Sequence, residues 1–340
     1  MRYLFFLTLF TLPAFSQIDV GDGSSGACTN LTIQNGGTHN CTTLNLSGSV
    51  TFTDNSPALI IKVQGDVTIN ASIILDGKNG APLSASGDGG AGGPGADAGG
   101  GRDIFDSPQA GTGGSLSAGG VGDNGITCGS GGGGAGFTTD GENGFPCDGS
   151  GGQKGLAVDP GEFDFSNPAS FRGGFGGGAG GEASADVGSG GGGGGGIHIM
   201  AGGNILINGT ISSKGGQGGS PTSNGGGGGG GSGGVIWIES LGQITNNALF
   251  TLTGGPGGSS SGGKGGTGAS GVYKMSDVDN VIEGIGTGTS NSGQNLNSSI
   301  SCGSVASEEK DSNFFFQLIA GFSLILIWKK ISRRLLKFFA

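Results

Sequence analysis

The chain has 340 residues, 86 of them glycine, with 33% hydrophobic and 12% charged residues and a net charge of −10. That composition excludes one large apolar core, because glycine has no side chain to bury and loses the most backbone entropy on folding. The glycines come in runs without a Gly-X-Y period, which excludes collagen, and the acidic body repels nucleic acid.

Residues 1–16 read as a secretory signal peptide. Arg2 supplies the positive start, residues 3–15 are almost wholly apolar, and Ala14, Phe15 and Ser16 form a small-x-small cleavage pattern. Export places the cysteines in an oxidising compartment, so pairing is expected. Cys28, Cys41, Cys128, Cys147 and Cys302 allow several pairings, of which Cys28–Cys41 and Cys128–Cys147 close the shortest loops. Cys302 is the odd thiol, and its fate stays open. Residues 17–58 read as an N-terminal β cap.

Self-comparison carries the main architectural signal. Residues 197–219 align with 236–258 at an offset of 39 without a gap, matching Ile197 with Ile236, Ile199 with Ile238, Ile205 with Ile244 and Gly215 with Gly254. Residues 59–80 align at an offset of 138, pairing Val67 with Ile205, Ile69 with Ile207 and Ile73 with Ile211. A degraded copy starts near Val272. Each unit holds short alternating apolar strands separated by turn residues, which predicts half-buried β-strands. One unit cannot bury its apolar face alone, whereas stacked units can. The predicted fold is therefore all-β: an elongated, parallel β-helix-like stack of a first unit (59–80) and three more (197–285), with a β-sandwich as the other option. Trp237, one step after Ile236, is expected on the outside of the stack.

Residues 81–196 form an acidic glycine-rich insertion. With the tracts 191–196 and 225–231, they read either as loose linker or as polyglycine-II-like helices lying side by side. About half of the 25 acidic residues lie between 87 and 190. Gly92, Gly93, Pro94, Gly95, Ala96 and Asp97 fit the GGxGxD start of a calcium nonapeptide, although Gly99 stands where an apolar residue belongs. Asp97, Asp140, Glu142 and Asp148 are the candidate calcium ligands, as hard oxygen donors; no other cofactor is expected. Phe105, Phe137, Phe145, Phe163, Phe165, Phe171 and Phe175 read as anchors pinning the glycine-rich loops, or as a ligand-binding surface. The stretch from Gly258 to Lys264 matches a phosphate loop but lacks the following Ser or Thr that would hold magnesium. Asp66 and Asp76 form no recurring carboxylate pair, so no catalytic residue is assigned and no enzymatic activity is expected.

A Ser/Asn/Gly stalk, 286–313, leads to an apolar helix at 314–330 and a basic amphipathic tail at 331–340. The apolar run 314–328 reaches about 22 Å as a helix against a hydrocarbon core of about 30 Å, so its flanks must add length. Lys329, Lys330, Arg333, Arg334 and Lys337 then place the tail in the cytoplasm and the body outside. The expected location is the cell envelope, as a single-pass membrane protein.

The glycine strings between apolar repeats, such as 225–234, together with the spacer, short hydrophobic helix and basic tail, resemble bacterial glycine-rich cell-surface proteins with a C-terminal membrane or sorting anchor. The repeat and glycine-rich part of that resemblance covers roughly 59–275 and implies a structural or adhesive role at the cell surface. A cell-surface polysaccharide or protein is the implied ligand. A calcium-dependent carbohydrate-binding module is the other reading, followed by a β-helical polysaccharide-active enzyme.

Overall fold

The computed structural model describes residues 18–83, 87–102, 108–111, 117–157, 171–183, 186–277, 281–284 and 289–291, with side chains as far as Asp277. The chain divides into units 1–295 and 296–340. The second unit lies outside the described residues, as do the segments read as signal peptide, apolar helix and basic tail, most of the segment read as a stalk, and Cys302. Among the described residues, no helix is long and apolar enough to cross a membrane.

Among the described residues the first unit is all-β, with one four-residue helix, Asn30–Ile33. Three parallel sheets run through it, and each turn of the chain contributes one strand to each sheet. The coils are Gly37–Cys41, Thr43–Leu46 and Val50–Thr51; Leu59–Val63, Val67–Ile69 and Ile73–Ile74; Gly196–Ala201, Ile205–Ile207 and Ile211–Ser212; and Val235–Ser240, Ile244–Asn246 and Leu249–Thr251. Val272–Ser276 begins a fifth.

The register follows the repeat. Ile205 faces Ile244 on one side and Val67 on the other, and Ile211 lies between Ile73 and Phe250. Alternating residues point inward, so Ile61, Ile199 and Ile238 stack in one column. These columns form a single closed core of Ile, Leu and Val. Burying each such side chain contributes about 1.5–3 kcal/mol.

The region read as an N-terminal cap contains a complete coil. Its strands pair in parallel with the second coil, Leu44 opposite Val67 and Val50 opposite Ile73. The cap proper is smaller. The short helix buries Ile33 against the core, and Ala27–Cys28 pairs with Thr43 and Leu44. The Cys28–Cys41 disulfide ties this end together.

The glycine tracts leave the stack after the third strand of a coil and return to the first strand of the next. They are ordered, and their hydrogen bonds have a period of three. In the tract 225–234, the N–H groups of Gly226, Gly229 and Ser232 donate to Gly181, Gly178 and Phe175. Those of Gly227, Gly230 and Gly233 donate to Gly263, Gly266 and Ala269, and those of Gly228, Gly231 and Gly234 to Gly219, Gly216 and Ser213. Carbonyls of the same tract accept from three further segments, around Gly191, Gly132 and Gly255.

A three-residue-per-turn extended helix makes no internal hydrogen bonds, so every buried backbone group must find a neighbour. Three donor directions and three acceptor directions give six neighbours around a central tract. The tracts 188–196 and 129–136 are surrounded in the same way. The described tracts of the insertion are thus part of one lattice with the tracts of the later coils.

Such packing requires glycine. A Cβ on Gly229 would sit nearer than 3.0 Å to the carbonyl of Gly133. Side chains enter the lattice at its base, where Phe137 and Phe175 meet at 5.8 Å and pack with Ala135, Val235 and Ala269.

Candidate functional site

The tracts turn around at the end of the lattice opposite the β-stack, and the polar side chains of the turns collect there. Residues 123–129, 145–150, 182–183, 186, 220–225 and 259–263 form this apex. It is bound together locally. Asp186 accepts from the Thr222 N–H and hydroxyl at 2.6 and 2.7 Å and from the Ser223 hydroxyl. Asn224 Nδ2 donates to the Thr127 carbonyl at 3.3 Å, and Ser261 Oγ donates to Asn224 Oδ1 at 3.0 Å. Asn124 Oδ1 accepts from the Glu182 N–H at 2.7 Å. The Cys128–Cys147 disulfide crosses the apex.

Between these bonds the surface is open. Ile126 is 95% exposed and Phe145 54% exposed. An open groove of about 510 Å³ runs beside Phe145, lined by Asn143, Gly144, Phe145, Pro146, Ser150, Gly151 and Gln153.

The four candidate calcium ligands do not converge. Asp97 pairs with Arg172 at the base of the lattice, where burial pushes its carboxyl up and the guanidinium pulls against that shift. Asp140 bonds Lys154 at 2.7 Å and the Ala157 N–H at 2.8 Å, which hold its carboxyl below the usual range. Glu142 Oε2 accepts from the Thr267 N–H at 3.2 Å. Asp148 accepts from the Thr127 hydroxyl and N–H, both at 2.6 Å, and from the Cys128 N–H at 3.1 Å, and these bonds depress it. All four carboxylates engage donors of the protein itself. No group of three or more His, Cys, Asp or Glu among the described residues is arranged to hold a metal ion. Asp66 and Asp76 likewise serve the stack: Asp66 accepts from the Asn204 N–H at 2.7 Å, and Asp76 from the Ser212 hydroxyl at 2.6 Å and the Lys214 N–H at 2.8 Å.

Both short-loop disulfides are present. Of the aromatic residues, Phe137, Phe171 and Phe175 lie at the base, while Phe105, Phe163 and Phe165 fall outside the described residues. Trp237 lies on the outer face of the stack but is covered. It stacks on His198 at 3.8 Å, with Phe171 6.3 Å away. His198 Nε2 bonds Glu239 Oε2 at 2.9 Å. Burial lowers the His198 pKa, against the opposing pull of Glu239.

The apex was not legible in the sequence. Its residues are spread over some 140 positions of polar, glycine-rich chain, and only the return of each tract to the next coil brings them together. Neither family models, curated proteins nor solved structures gave a match to the chain.

Proposed function

We propose that this chain is a membrane-anchored, glycine-rich surface protein with a structural or adhesive role. In this reading the β-helix-like stack is a foundation, and the polyglycine-II-like lattice is a rigid pedestal that presents the apex loops to the surroundings. The observation that carries it is the six-neighbour packing of 225–234. A tract of that length rises about 30 Å in an extended three-fold helix, and its hydrogen bonds hold the loops at its end in fixed positions. Binding residues commonly sit on loops set by a rigid scaffold.

The signal sequence, the apolar segment 314–330 and the basic residues after it support an extracytoplasmic body and a cytoplasmic tail. Labelling intact cells with a membrane-impermeant reagent tests the orientation, and residues 18–291 are expected to be labelled while the tail is protected. Removing the chain from the cell is expected to lower attachment to surfaces or neighbouring cells. Full protection of the body, or unchanged attachment and envelope integrity, would overturn the reading.

A further inference from the structure

The groove beside Phe145 is an unfilled position at the edge of the lattice. The tracts 141–145 and 150–155 lie side by side, joined by the bonds from the Gly144 N–H to the Gly152 carbonyl and from the Gly141 N–H to the Gly155 carbonyl. Each uses two of its three directions inward. Glu142 and Phe145 donate to Thr267 and Lys264, while Gly152 and Gly155 donate to Gly131 and Gly134. The remaining direction faces out. The N–H groups of Asn143 and Gly151 carry no hydrogen bond to any of the described residues. The Asn143 side chain accepts from the Lys154 N–H at 2.8 Å and closes one end. Phe145 and Pro146, both exposed, form a ridge along the groove.

We infer that this groove binds a basic, glycine- or proline-rich peptide segment of a partner protein in extended three-residue-per-turn conformation. Conformation follows from the lattice, because the next chain against two such helices must share their period to reach both backbones. Extended segments of this type also favour aromatic-lined grooves, since they have little entropy left to lose. Charge follows from the rim. Asp123 bonds the Ser150 N–H at 2.9 Å, Asp148 lies between Pro146 and Ser150 in sequence, and Glu142 adjoins Asn143. Lys154 is neutralised by Asp140 at 2.7 Å, which leaves Lys264 as the one nearby cation against those three carboxylates among the described residues. The same acidity disfavours a second copy of this chain as the occupant.

The inference rests on the reading of the chain as a surface protein that makes contacts, and it names the partner chemistry of one contact. The test is titration of the full-length protein, in detergent, with three fluorescent peptides: repeats of Gly-Gly-Arg, repeats of Gly-Gly-Glu, and an alanine-based helical peptide with the same number of arginines. The Gly-Gly-Arg peptide is expected to bind, more weakly as salt rises, and the other two to bind far less. Phe145→Ala is expected to weaken that binding about tenfold, the size of one lost aromatic contact. Because Phe145 is exposed, the variant is expected to melt with the native protein. Equal binding of the helical peptide, equal affinity of the Phe145→Ala variant, or no binding of the Gly-Gly-Arg peptide would each overturn the inference. Attachment that depends on the chain but not on Phe145 sinks this inference alone. Peptide binding without any effect on attachment sinks the broader reading instead.

Discussion

Two glycines separate the two reasons for using this residue. Gly229 lies in the tract with six hydrogen-bonded neighbours, and its added Cβ would strike the Gly133 carbonyl of another tract. Gly26 has nothing within 4 Å of that position but holds a φ of +67°. Gly26→Ala therefore pays only for left-handed backbone, about 1 kcal/mol. Gly229→Ala must move a neighbouring tract and is expected to lose about 3 kcal/mol, the upper range of overpacking. Urea unfolding of both variants checks the order, and equal losses would contradict a close-packed lattice.

His198 gives a second residue-scale expectation. Its folded pKa lies below its unfolded value because burial disfavours the imidazolium. The unfolded chain then binds the proton first, so the contribution of neutral His198 is present above the unfolded pKa of about 6.5 and is lost as pH falls through it toward the folded value. Unfolding free energy measured from pH 7.5 to 5 is expected to decline, and the His198→Gln variant to decline less. Parallel curves would remove His198 from the account.

At the scale of elements, the offsets of 39 and 138 residues were legible because inward-facing Ile and Val recur at matched positions, and the ladders adopt that register. The first coil escaped because it is spaced about 23 residues from the second, with no glycine excursion between them and few large apolar residues beyond Leu44, Leu46 and Val50. The lattice partners were illegible for a different reason. Glycine carries no side-chain pattern, so nothing in 188–196 indicates that it lies between 75–81 and 226–232. Turn residues also stack between coils. Asn208 donates to Asn70 Oδ1 at 2.8 Å and accepts from Asn247 Nδ2 at 2.9 Å. Asn208→Ala is expected to destabilise by about 1 kcal/mol, since the freed partners are exposed and rehydrate. The Cys128–Cys147 bond closes a loop with a sequence separation of 19, and its removal is expected to lose about 3 kcal/mol. Limited proteolysis of the Cys128→Ser, Cys147→Ser double variant is expected to cut within 123–150 first. Cutting elsewhere would show that the lattice alone holds the apex.

Over the whole first unit, two kinds of order share one chain. The stack is held by side chains in a narrow core; residues 25–28 and the short helix lie at one end, and at the other Val281–Gly284 and Thr289–Asn291 pair antiparallel in two of the three sheets. In those two sheets the antiparallel strand ends the parallel ladder, so no further coil adds there. The lattice, by contrast, is held by backbone hydrogen bonds with almost no side chains, so its stability depends on how many neighbours a tract has. Amide hydrogen exchange reads that number directly. In 226–234 every consecutive N–H has an acceptor on a neighbouring tract, so protection is expected without a gap. At the lattice edge, Gly141, Glu142, Gly144, Phe145, Gly152 and Gly155 are expected to exchange slowly, while Asn143 and Gly151 exchange fast. A loose linker would exchange fast at all of these positions, and a β-sheet edge would alternate with period two. Only a three-residue helix with one face open leaves gaps at Asn143 and Gly151 while protecting the residues on either side. A flat, fast profile across 129–155 would therefore reject the lattice, and with it the rigid pedestal on which the apex depends.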